Sequence, residues 1–176
     1  MTPRLRHLLP LALALSACGA SVAEKPDFTV RDTAVYVRSD VLFAQRADFQ
    51  GRVQSTVEAA LTYWGGSWSD LGGRSITLEG TATVACHGVG SASGCFDGNI
   101  RISTSDLGHA FSCVEQTELV HEVGHAVLGD AAHRDPRWMD FGEVAQALSG
   151  RMGYSGAGEA GCPVIVSVWQ HPPDDG

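Results

Sequence analysis

Lysine is almost missing from this chain of 176 residues: Lys25 is the only one, and 12 Lys+Arg face 20 Asp+Glu for a formal net charge of −8. Binding a polyanion needs clustered cations, so nucleic acid is excluded as a partner. Charged residues make up only 18% and hydrophobic ones 44%, which excludes a disordered or coiled-coil chain and describes one ordinary globular domain. No apolar run approaches the roughly 20 residues that span a hydrocarbon core of about 30 Å. No Cys-x-x-Cys spacing occurs, which argues against a four-cysteine zinc site. Ser149, Ser155 and Ser167 lie in no nucleophile elbow, so a serine hydrolase is not indicated.

What is present begins with an export signal. Arg4 and Arg6 precede the short apolar run Leu8–Leu15, and no acid occurs before residue 18. The run ends Leu15-Ser16-Ala17-Cys18, which resembles the bacterial lipobox. That resemblance implies cleavage before Cys18 and acylation of that cysteine, giving a stable membrane anchor. Residues 1–17 are then a leader whose removal takes two arginines and no acid, so the charge becomes −10. Gly19 follows the cysteine, and by the same resemblance the outer membrane is the expected location. Four cysteines remain, Cys86, Cys95, Cys113 and Cys162, an even number in an oxidising compartment. Three pairings are open, of which Cys86–Cys95 with Cys113–Cys162 is preferred.

Residues 18–27 read as a lipidated cysteine and a tether, residues 28–170 as the folded domain and 171–176 as a tail. An extended segment is expected over Phe28–Val37. After Asp48, Phe49, Val53, Val57, Ala60, Leu61 and Trp64 recur at helical spacing up to Gly65-Gly66. Strands are expected at Arg74–Glu79, Thr81–Ala85 and Asn99–Ser103, with a Gly/Ser-rich loop from Gly88 to Gly94. A second helix has capping-box spacing at Ser112 and Glu115, an apolar face of Val114, Leu119, Val120, Val123 and Val127, and a stop at Gly129. A further helix is expected over Gly142–Met152, and an apolar run follows at Val164–Val168. The sum is an α+β single domain in which a small mixed sheet packs on an N-terminal helix and a second, motif-bearing helix.

That second helix contains His121-Glu122-Val123-Gly124-His125. Histidines four apart share one face at about 5–6 Å, so both can reach one ion, and zinc takes imidazole nitrogens at roughly 2.0–2.1 Å. Glu122 is directed beside that face, where it can act as general base and acid toward a water activated by zinc. A catalytic zinc needs a third protein ligand. His133, Asp130 and Glu143 are the candidates: histidine is the best donor, Asp130 follows the helix stop at once, and Glu143 is placed as in gluzincins. His87, His109 and His171 lie in loop or tail sequence and read as solvated. Trp64, Trp68 and Trp138 read as core.

The run from His121 to His133 resembles the metzincin metallopeptidases. Their pattern puts a glycine three residues after the second histidine and a third histidine three residues later; here the intervals from His125 to Gly129 and from Gly129 to His133 are each one residue longer. Met139 follows His121 by eighteen residues, as the Met-turn methionine does in the matrixin branch. The resemblance implies a compact metzincin-like domain, zinc on His121, His125 and His133, Met139 beneath the metal, and Asn99–Ser103 as the edge strand that pairs with an extended peptide. Zn2+ is the cofactor so implied, and protein or peptide substrates outside the cytoplasm, cleaved by a monomer, are the partners. The alternatives are a gluzincin-type peptidase with Glu143 as ligand, or a non-catalytic zinc-binding surface lipoprotein.

Overall fold

A computed structural model describes residues 24–41, 47–104, 111 and 113–142. The leader with Cys18, His109, Ser112 of the capping box, Glu143, the rest of the helix expected from Gly142, Cys162, the run at 164–168 and the tail lie outside these residues. No helix among the described residues is long and apolar enough to cross a membrane.

The fold is α+β, as the sequence predicts. Strands β1 (Phe28–Val30) and β2 (Thr33–Val37) form a hairpin whose turn carries Arg31 at φ 51°. Helix α1 (Phe49–Trp64) follows, and all six positions of its predicted stripe are buried. Gly65 ends it at φ 70°, in the left-handed region that glycine adopts without penalty, and the Gly66 N–H returns to the Leu61 carbonyl. A single 3₁₀ turn, Trp68–Leu71, leads into β3 (Ser75–Glu79). The hairpin β4 (Val84–Cys86) and β5 (Gly90–Ala92) stands apart from the main sheet, and β6 (Gly94–Phe96) and β7 (Ile100–Ser103) rejoin it. Helix α2 spans Cys113–Leu128.

The main sheet has the order β1-β2-β3-β7-β6. Strands β2, β3 and β7 run parallel, with Val35 opposite Ile76 and Leu78 opposite Ile102, while β6 returns antiparallel on β7. Ile76, Leu78, Ile100 and Ile102 give the sheet one apolar face, which meets Val53, Val57 and Trp64 of α1 and Leu119, Val120 and Val123 of α2 in a single core.

Three expectations are corrected here. Asn99–Ser103 is not an edge: β7 lies between β3 and β6, and the edge is β6. The stretch Gly88–Gly94 is not one loop, because β5 and the first residue of β6 occupy most of it. The strand expected at Thr81–Ala85 begins only at Val84. Cys86 and Cys95 are bridged as preferred, tying the β4–β5 hairpin to the edge strand. Cys113 is also disulfide-bonded.

Candidate metal centre

Helix α2 must turn one side inward and present the other to the site. Leu119, Val120 and Val123 face the core, which turns His121 and His125, one turn apart, toward a shared rim. Gly124 between them is a requirement of packing. A Cβ there would lie 2.6 Å from Trp64 and 2.8 Å from Trp138, so only glycine lets both indoles approach this stretch of helix.

The helix breaks at Gly129 (φ 61°), whose N–H bonds the His125 carbonyl at 3.0 Å. Continued as a helix, the chain would carry His133 about 12 Å past His125. It turns back instead, and Asp130 holds the turn. One carboxylate oxygen of Asp130 accepts from the Ala132 N–H (3.0 Å), the other from the N–H groups of Arg134 (2.5 Å) and Asp135 (2.9 Å). Those N–H groups hold the Asp130 carboxyl below the usual carboxylate range, that of Asp135 first among them. His133 takes φ 52°, a left-handed conformation that an L residue adopts at a cost of about 1–2 kcal/mol.

The result is convergence. His125 Nε2 lies 3.1 Å from His121 Nε2 and 3.1 Å from His133 Nε2, and the three ligand atoms lie within 4.8 Å of one another. The tautomer of His125 follows from chemistry: its Nδ1 is 2.9 Å from the Asp130 carbonyl oxygen, which can only accept. Nδ1 therefore carries the proton, and in the neutral ring Nε2 offers a lone pair to the shared point. Burial, then the nearby His125 and His133, push His121 down to about 3; burial likewise lowers His125. Both rings stay neutral near pH 7, the form a metal binds.

These residues fit zinc. Tetrahedral ligation at about 2.0–2.1 Å separates neighbouring nitrogens by roughly 3.3–3.4 Å, and two of the separations here are within a few tenths of that. Of the three candidates for third ligand, the structure brings His133 to the pair, turns the Asp130 carboxylate onto its own loop, and leaves Glu143 outside the described residues.

Glu122 lies on the sheet side of the same helix and is 3% exposed. Its neighbour is the backbone of Gly94 on β6, where a Cβ would stand 2.5 Å from Glu122 Oε1. Burial first, and then the charge of Glu118, raise Glu122 to about 8. Glu118, itself raised by burial, is hydrogen-bonded to the Ser93 side chain just before the edge strand. Gly94 was not legible as a site residue, since nothing marks one glycine within a Gly/Ser-rich stretch.

The chain matches no protein-family model, no curated protein and no solved structure.

Met139 is not beneath the histidines. It is 77% exposed, and its neighbour Trp138, 7% exposed, takes the inner position. The reason is the phase of the last described helix, which covers residues 137–142 and so begins before Gly142. Asp135 caps it, accepting the Arg137 N–H at 3.0 Å, with Pro136 at the first position. That start turns residue 138 inward and residue 139 out. Of the other expected bystanders, His87 is exposed, Trp64 is fully buried with its indole N–H on the Val120 carbonyl, and Trp68 is half-buried near Arg31.

One substitution probes the Glu122 environment alone. Gly94→Ala is expected to displace the flexible end of Glu122 rather than the strand, lowering any turnover that depends on Glu122 while metal affinity stays at the wild-type level. Parallel measurements of kcat and zinc dissociation check this, and equal turnover in both proteins would separate Glu122 placement from β6.

Proposed function

We propose that this chain is a zinc-dependent endopeptidase that hydrolyses peptide bonds of proteins outside the cytoplasm, tethered through a lipid on Cys18 and acting as a monomer. The observation that carries it is the convergence of three imidazole Nε2 atoms from His121, His125 and His133 beside the buried carboxyl of Glu122. Among the described residues three imidazole nitrogens converge without a carboxylate, a donor set that suits a catalytic zinc with one position open. The metzincin resemblance implies the same ligands and the same base, and the fold, with its sheet edge beside the motif helix, is compatible with it.

Zinc in such a site supplies Lewis acidity, which polarises a carbonyl and lowers the pKa of water toward about 7. The work of the chain's own groups is separable. His121, His125 and His133 present lone pairs, with His125 oriented by the Asp130 carbonyl. Glu122 accepts a proton from the attacking water at its carboxylate and returns it to the leaving amine as the C–N bond breaks and the new C–O bond forms. Strand β6 is the last strand of the main sheet among the described residues, and an extended peptide would add to the sheet there.

The test is hydrolysis of an unstructured protein substrate by the detergent-solubilised full chain. Cleavage that stops with a chelator and returns with zinc is the expected result. Stoichiometric zinc without cleavage would leave the non-catalytic zinc-binding lipoprotein, and neither zinc nor cleavage would leave an inert envelope protein.

A further inference from the structure

We propose that Trp138 is a positioning residue of the metal centre: its indole is the floor that holds three imidazoles converged, a role that rests on the zinc reading above. Its ring centroid lies 4.9 Å from His121, 4.8 Å from His125 and 4.3 Å from His133.

The need for a floor follows from the hydrogen bonds. A ligating histidine is ordinarily oriented by a partner on its second ring nitrogen, since the ring torsion itself is soft. His125 has that partner in the Asp130 carbonyl. Among the described residues His121 and His133 have none at Nδ1; their only hydrogen-bond contacts are the mutual Nε2 approaches. Their orientation has to come from packing, and the indole is the surface common to both.

The floor is itself held. Trp138 packs at 4.4 Å on Trp64, which is fixed by its own N–H to the Val120 carbonyl, and at 6.0 Å on Phe141. Its edge meets the helix at Gly124, between two of the ligands, where any side chain would intrude. The indole N–H is buried without an acceptor among the described residues, a desolvation cost that a phenyl ring would not carry. Stability alone therefore does not account for tryptophan here, whereas a wide ring packed at a tilt against all three imidazoles does.

The experiment is zinc titration of the full chain against a competing chelator, together with the visible absorption spectrum of the Co2+-loaded protein, for wild type, Trp138→Ala, Trp138→Phe and Met139→Ala. Trp138→Ala is expected to weaken zinc binding about 10- to 100-fold and to alter the Co2+ spectrum. Trp138→Phe should recover most of both, and Met139→Ala should match wild type. Should Trp138→Ala fail to fold by circular dichroism, Trp138→Leu, which keeps apolar volume without a flat face, carries the same expectation. A folded Ala or Leu variant with wild-type affinity and spectrum overturns the floor while leaving the zinc site intact. A wild-type chain that takes up no zinc removes the reading beneath it as well.

Discussion

Glu122→Ala is expected to lower turnover of a protein substrate by about 10²- to 10⁴-fold, the usual contribution of a positioned general base, with zinc remaining at about one per chain. The two effects separate because Glu122 is not one of the three residues whose Nε2 atoms converge. Its carboxyl is buried against Gly94 of β6. Burial, then Glu118, raise its proton affinity in the metal-free protein. The variant also removes a buried ionisable group, so its metal-free form should unfold no earlier in urea than wild type. Steady-state kinetics with metal analysis on the same samples checks the claim. Unchanged turnover would take Glu122 out of the mechanism.

The second large effect belongs to His133→Ala. It is expected to weaken zinc binding by about 100-fold or more, beyond the 10- to 100-fold typical of residues that merely orient ligands, and to abolish turnover with it. Stability should scarcely fall. His133 is exposed and outside the core cluster, touching it through its ring, which lies tilted on Trp138 at 4.3 Å between centroids, and alanine would keep the same left-handed backbone. His121→Ala is less clean, because that ring packs on Trp138 and on Phe141 at 5.5 Å. Chelator competition beside urea unfolding distinguishes loss of a ligand from loss of the fold.

Elements with a strong internal period were legible in the sequence. The stripe from Phe49 to Trp64 and the one through Leu119, Val120 and Val123 repeat every three to four residues, and the pairing of His121 with His125 is a property of the helix alone. His133 could be named only as one of three candidates, because its position depends on Gly129 at φ 61° and on three backbone N–H groups gathered by Asp130. No spacing rule encodes that grip. Strands β5 and β6 have three residues each, too few for alternation to show, so the sheet edge was assigned to β7, one strand too late. Trp138 is in the core as expected, whereas Met139 is turned to solvent for a local reason: an N-cap at Asp135 sets the phase of a short helix, and one residue of phase turns a side chain from the inside to solvent.

Zinc K-edge X-ray absorption on the purified full chain tests the central claim most directly, since it counts the ligands and measures their distances. The account predicts three imidazole nitrogens at about 2.0–2.1 Å, one further light ligand and no sulfur. Fewer than three imidazoles, a sulfur shell near about 2.3 Å, or a protein that retains no zinc would contradict it.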